Sequence, residues 1–493
     1  MLQLGTKAET LKKLYNKLGK AKVLESYSFT VAEWEKEPSD IWDKVREAIQ
    51  DDRLIVRSSA LNEDTNESSQ AGKFESVGDV CGEKAFFEAV HTVVSSFDDT
   101  NPDNQILVQP MLQSVKICGV AFTMDPSTMG NYYVINYDTT GSTSAITSGT
   151  GTENKLLYVF KGTNRSKRKL PEYIENLVFT LGELEKLFER KNLDVEFAVT
   201  EKEELYIFQV RPLCLKGTFI DEKVQEKALC RVEEKIIEEQ GKKPFLCGEN
   251  VVYSVMTDWN PAEMIGVRPK QLAMSLYREI ITDCIWAYQR DNYGYRNLRS
   301  FPLMVDFGGL PYIDVRVSFN SFVPAELDEK ISDKLVNYYI KRLAEDPSKH
   351  DKVEFDIVFS CYTLDLPERI LVLKKYGFTE DEICAITESL RNLTNRIIDH
   401  ETGLWRKDYQ KIEILENRYE EIINSSMGIL EKIYWLLEDC KRYGTLPFAG
   451  LARAAFIAVQ MLKSMVKCEI LSEQDYQLFM NGVSTVTVSY THL

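Results

Sequence analysis

The chain has 493 residues, of which 44% are apolar and 28% charged, with a net charge of −16 and a pI near 5.0. At roughly 100–200 residues per domain, there is room for about two to four domains, each with its own core. So acidic a surface argues against general binding to nucleic acid or anionic membranes, and it leaves room for a local basic pocket. There is no run of about 18 apolar residues of the kind that spans a membrane. The opening MLQLGTKAETLKK lacks the layout of a secretion signal. The ten cysteines include no CxxC pair, and the four histidines share no ligand spacing. Both observations read as a reduced, cytoplasmic protein without structural zinc.

Taken in chain order, residues 7–19 show helical periodicity, 22–30 read as a strand and 31–50 as a helix. RLIVRSSALNED (53–64) begins as a strand and runs into a polar loop over 62–72. A helix over 82–97 precedes short strands at 105–109, 118–123, 132–137 and 156–160. Between the last two, 139–154 is rich in Gly, Ser and Thr and suits a flexible surface loop. A helix over 171–191 leads to a strand pair at 194–199 and 204–210. This mixture predicts an α+β domain over 1–215, its two subdomains dividing near 75–105, followed by a charged helical linker over 216–245. From 246 to 487 a mainly α-helical second domain is expected, with helices at 261–290, 323–345, 366–375, 379–399, 404–440 and 449–469. Met264, Leu272, Leu276, Ile280 and Ile281 are expected in its core. The last six residues, VSYTHL (488–493), follow an apparent strand that breaks off mid-pattern and read as an artefactual tail.

The chemistry starts at Arg57, where an apolar strand ends in a guanidinium facing Ser58, Ser59 and Ala60. Small side chains beside a guanidinium make a seat for phosphate or carboxylate. The alternative is a structural ion pair with Glu63 or Asp64. Gly72, Lys73 and Ser76 offer a second small loop with a cation and a hydroxyl. Lys7 follows a Gly at the start of a helix, a position equally open to a solvated surface lysine. Asp194 and Glu196 share one face of a strand, and Gln209 and Arg211 share a face of the next. Carboxylate and carboxamide oxygens at adjacent strand ends suit Mg²⁺, which takes hard ligands together with substrate phosphates.

IVRSSALNEDTNESSQAGKFESV, VQPMLQSVKICGVAFTMDP and LDVEFAVTEKEELYIFQVRPL, with the opening LGTKAETL, resemble the ATP-binding domain of phosphoenolpyruvate synthase and pyruvate phosphate dikinase, which rifamycin phosphotransferase shares. The resemblance covers about residues 1–215. It implies an ATP-grasp-like fold with Mg–ATP held between two subdomains. By motif, Lys7, Arg57 and Arg211 would grip phosphates, the Gly72–Ser76 loop with Lys73 would cover them, and Gln109 would line the nucleotide cleft. Glu196 and Gln209 would hold Mg²⁺. Thr123 and Asp125 belong to the family's FT-x-DP turn, with no role assigned. Lys73 and Phe74 stand where the family usually has glutamines, and Ser76 where it often has Thr.

The stretch 253–320 is dense in Tyr, Trp, Arg and Asn, and DWNPAE (258–263) has the chemistry of a helix start. Dense aromatic and arginine residues serve packing, or a site for a small polar or anionic acceptor, with Arg268, Arg278, Arg290 and Arg296 facing a cleft and Arg268, Arg278 and Arg296 singled out as its lining. The stretch resembles the segment that follows the ATP domain in phosphoenolpyruvate-synthase-like proteins. Such enzymes move phosphate through a histidine after a Gly- and Ser/Thr-rich loop, and His91, His350, His400 and His492 all lack that context. The expectation is the ATP-binding part of a dikinase-type phosphotransferase, truncated before its histidine domain and acting on an unnamed small molecule. Alternatives are a rifamycin-phosphotransferase-like enzyme, a kinase for a cell-envelope precursor, or a non-catalytic nucleotide-binding module.

Overall fold

The computed structural model describes residues 2–61, 75–97, 101–139, 155–162, 169–215 and 217–483. They divide into two units, Met1–Leu229 and Cys230–Leu493. In the first, the elements in chain order are α1 (Lys7–Leu14), β1 (Ala21–Lys22), β2 (Tyr27–Thr30), α2 (Val31–Lys36), α3 (Pro38–Ala48), β3 (Leu54–Ser59), β4 (Ser76–Val80) and α4 (Gly82–Ser95). Then come β5 (Gln105–Pro110), β6 (Val115–Phe122), β7 (Tyr132–Asp138), β8 (Lys155–Phe160), α5 (Glu172–Phe188), β9 (Leu193–Thr200) and β10 (Leu205–Pro212). The helix α6 (Glu222–Glu239) leads from one unit to the next and buries none of its residues.

Two sheets form, as the α+β expectation requires. One has six strands in the order β1-β10-β9-β6-β7-β8, antiparallel except for the β1–β10 pair. The other has four, β2-β5-β3-β4, all antiparallel. The single strand expected over 22–30 is two, one in each sheet, so the chain changes subdomain there. Leu193, Val195, Phe197 and Val199 alternate along β9 and pack with Leu177, Leu181 and Leu184 of α5. Val56, Ile106 and Val108 of the smaller sheet pack with Val45 of α3 and with Phe86 and Val90 of α4. Leu107 points the other way and joins the core of the six-stranded sheet. An isolated eight-residue helix does not persist in water. In α1, burial of Leu11 and Leu14, worth about 1.5–3 kcal/mol each, offsets that deficit.

The second unit is mainly helical, with a small sheet that the sequence reading misses. Tyr253–Ser254 (β11), Met304–Phe307 (β12) and Leu310–Asp314 (β13) pair antiparallel in the order β11-β13-β12. The hairpin turns on Gly308 and Gly309, whose φ values of 63° and 85° suit a two-residue type I′ turn. The helix expected over 261–290 is broken into Pro261–Met264, Gln271–Tyr277 and Ile285–Tyr293, with a π-helical turn at Arg278–Thr282. Gly266, at φ 89°, and Pro269 interrupt it. With the register broken, Met264, Leu272 and Leu276 are exposed, contrary to expectation, while Ile281 is buried and Ile280 partly so. The helix expected over 404–440 is likewise two, Leu404–Asn424 and Ile429–Asp439. The stretch Ile429–Lys467 is long and apolar enough to cross a membrane by length and composition, although no such stretch was expected. Asp439, Arg453, Gln460 and Ser464 are buried along it.

Candidate functional site

The site of the first unit is built around the start of α1. Thr6 caps this helix: its Oγ1 accepts from the Glu9 N–H at 3.2 Å, and the Glu9 carboxylate accepts from the Thr6 N–H at 3.3 Å. A Cβ at Gly5 would run into the Glu9 carboxylate, so a larger residue there would have to displace the side chain that closes this cap. Thr6 Oγ1 also donates to Gln105 Oε1 on β5 at 2.7 Å, and the Ala8 N–H donates to Ser59 Oγ on β3 at 3.0 Å. These bonds tie the helix start to the smaller sheet and bury Lys7 beside it.

The other half of the site comes from β9 and β10. Gln209 pairs with Glu196, and Arg211 with Asp194. Residues opposite one another in an antiparallel ladder point to the same face. All four therefore share one face, where alternation alone assigns the two pairs to different faces. The reason is a β-bulge between Ile207 and Gln209. Leu205 and Ile207 face the core; past the bulge the alternation inverts, so Val210 faces the core and Gln209 and Arg211 face away from it.

Arg57 joins the two sheets. Its Nη2 lies 3.0 Å from Glu196 Oε2, and its Nη1 donates to the Phe208 carbonyl, in the bulge, at 3.3 Å. The ion-pair partner of Arg57 here is Glu196; the alternative partners Glu63 and Asp64 lie outside the described residues. Arg211 Nη2 and Nε reach Asp194 Oδ2 at 2.7 and 2.9 Å. Asp194 Oδ1 is buried and has no hydrogen-bond partner among the described residues. Three cations, Lys7, Arg57 and Arg211, thus act on two carboxylates, Glu196 and Asp194.

The two acids respond in opposite ways. Burial pushes Glu196 up, but the Arg57 guanidinium, the Lys7 ammonium and Arg211 together outweigh it and hold the carboxyl below its usual range. For Asp194, burial prevails over Arg211 and the pKa is raised. An ionised Glu196, the Gln209 carboxamide opposite it and the unpartnered Asp194 Oδ1 are hard oxygen donors that fit Mg²⁺. Among the described residues no cluster of three or more His, Cys, Asp or Glu forms a complete metal site, so substrate oxygens would have to complete the shell.

Gln109 is buried on β5, on the same sheet face as Arg57, and its amide N and O find no hydrogen-bond partner among the described residues. Ser76 pairs with Arg57 across β3 and β4 and is exposed; Gly72 and Lys73 lie outside the described residues. The FT-x-DP turn is accounted for structurally. Thr123 Oγ1 donates to the Lys191 carbonyl and accepts from the Leu193 N–H, while Asp125 accepts from Ser127 and Thr128. In the second unit, Arg268 is exposed. Arg278 faces Asp283 at 3.3 Å and Asp306 at 3.7 Å. Arg296 donates to the Phe245 carbonyl at 3.3 Å and lies 3.5 Å from Glu329; Phe245 and Glu329 line a cavity of about 640 Å³. The three thus stand in separate settings.

Two α+β subdomains sharing a cation-rich face are the layout of a domain that binds a nucleotide polyphosphate. Residues 10–171 match the family model of the pyruvate phosphate dikinase AMP/ATP-binding domain, the family that the motifs resemble. Arg57 and Gln109 lie within the matched segment; Lys7, Glu196, Gln209 and Arg211 flank it. No curated protein matches the chain. Among solved structures, it is similar to D-alanine-D-alanine ligase from Helicobacter pylori (16% identity, 45% of this chain and 60% of that one, TM-score 0.26). It is also similar to D-alanyl-alanine synthetase A from Vibrio cholerae (13%, 45% and 59%, TM-score 0.28). A third is N5-carboxyaminoimidazole synthetase from Staphylococcus aureus complexed with ADP (16%, 42% and 43%, TM-score 0.24). The chain spans 52–60% of the length of the first structures it matches.

Proposed function

We propose that the first unit binds Mg–ATP and that the chain is the ATP-binding part of a dikinase-type phosphotransferase. ATP would yield AMP and phosphate, and a phosphoryl group would pass through a histidine on a separate domain to a small-molecule acceptor. The observation that carries this reading is the single face on which Lys7, Arg57, Glu196, Gln209 and Arg211 meet, in a chain whose residues 10–171 match an AMP/ATP-binding family.

Arg57 and Glu196 neutralise one another. Phosphate oxygens would take over Arg57, Arg211 and Lys7, and Glu196 would be released to a cation, with Gln209 as its second protein oxygen. Bound Mg²⁺ would supply charge neutralisation of the phosphates. The protein's own contribution is positioning and charge complementarity, the main sources of catalysis in phosphoryl transfer. Gln109, with both amide atoms buried and without a hydrogen-bond partner among the described residues, is suited to hydrogen-bond the nucleotide base. Isothermal titration with ATP, with and without Mg²⁺, tests the reading. Saturable, Mg²⁺-dependent binding at one site per chain is expected, and no binding heat under either condition would refute it.

A further inference from the structure

The second unit buries charge where a helical core has no structural need of it. Arg290 on the helix Ile285–Tyr293 and Arg453 on the helix Leu446–Lys467 are 5% and 3% exposed. Their guanidinium carbons lie 5.1 and 4.9 Å from the centre of the same Phe322 ring. Arg290 reaches Asp258 at 3.4 Å and Gln289 Oε1 at 3.2 Å; Arg453 pairs with Glu354. That balances the charges but not the donors. Arg290 Nε, Arg453 Nε and Gln289 Nε2 are all buried and without a hydrogen-bond partner among the described residues. A buried donor left unmade costs about 1–3 kcal/mol, and a core of this size does not ordinarily collect three of them in one cluster.

The backbone beside the cluster is also unusual. Asp258, Trp259 and Asn260 have consecutive positive φ values of 42°, 58° and 27°. For a residue as bulky as Trp that conformation is costly, and such strain gathers at ligand sites. Trp259 is half-buried, with its ring 6.1 Å from that of Phe448, which is largely exposed. π-Helical turns, which also recur at functional sites, precede both arginine-bearing helices, at Arg278–Thr282 and Cys440–Thr445.

We infer that Arg290, Arg453 and Gln289 form a seat for a compact anionic group, a carboxylate or a phosphate, of a small-molecule ligand of the second unit, with Trp259 and Phe448 at its entrance. Two neighbouring guanidinium groups with spare donors recognise planar or tetrahedral oxyanions. Burial, followed by the Arg290 charge, pushes Arg453 down to about 9, so a negative charge there would relieve both effects. The inference stands independently of the nucleotide reading, because no residue of the first unit enters it.

The test is hydrogen–deuterium exchange of the full chain titrated with inorganic phosphate or malonate, against chloride at equal ionic strength. It is read in peptides covering 256–262, 285–293 and 449–456. Saturable protection of these peptides by one of the two anions is expected, and which one protects them separates a phosphate ligand from a carboxylate. In Arg290→Lys and Arg453→Lys the half-saturating concentration should rise by about tenfold or more, since lysine cannot reproduce the fork of donors. No protection of the wild-type chain by either anion would overturn the inference, even if both variants failed to fold. Unchanged affinity in folded variants would do the same. Failure here leaves ATP binding untouched, because the exchange is read only in the second unit.

Discussion

The two units treat buried charge differently. In the first, cations and acids lie on a sheet face, and the pair that joins the two sheets is partly open: Arg57 and Glu196 keep 13% and 22% of their side-chain surface, against 10% and 9% for Arg211 and Asp194, so a ligand can reach either partner of the former. In the second, Arg453 and Glu354 keep 3% and 12% and are enclosed by helices. Removing one partner of an enclosed pair strands the other, whereas water reaches the survivor of a partly open one.

The largest expected effect breaks the comparison at its buried end. Arg453→Ala should cost about 3–5 kcal/mol, since Glu354 would be left uncompensated. Arg57→Ala, at the more open pair, should cost about 1 kcal/mol. Urea unfolding of the two variants measures the gap, and equal costs would erase the distinction. Within the first unit, pH separates the two acids. Glu196 has a folded pKa below its unfolded value of about 4.3, so its contribution is complete above that value and is lost as pH falls through the folded pKa. Asp194 has a folded pKa above its unfolded value of about 3.9, so stability falls as pH rises through that window. Urea midpoints between about pH 3 and pH 6 should therefore lose a rise with pH in Glu196→Gln and lose a fall in Asp194→Asn. The smallest effect is on the thiols. Burial first, with nearby acid charges adding to it, pushes Cys118 and Cys247 up to about 11; burial pushes Cys361 up to about 12. A thiol reagent at neutral pH should modify Cys81, Cys384 and Cys468 in the folded chain and reach those three only on unfolding.

Much of the first unit is legible in the sequence because its strands alternate and its candidate site residues sit in short motifs. Arg57, Glu196, Gln209 and Arg211 can each be picked out by type and position. Their common face cannot, because the bulge at Phe208 inverts an alternation that a simple count assumes unbroken. The partner of Arg57 comes from 139 residues away, beyond any local reading. In the second unit the Gly308-Gly309 hairpin is a local signal, present in the sequence and missed. The pairing of Arg290 with Arg453 on Phe322 depends on how separate helices pack, and no spacing encodes it.

The proposed exchange of Arg57 and Glu196 between each other and Mg–ATP can be read by titrating Glu196→Gln with ATP, with and without Mg²⁺, beside wild type and Arg57→Ala. Glu196→Gln, with Arg57 released, should bind metal-free ATP more tightly than wild type and gain little from Mg²⁺, while Arg57→Ala should lose binding under both conditions and stay folded. Wild-type affinity and Mg²⁺ dependence in folded Glu196→Gln would contradict that exchange.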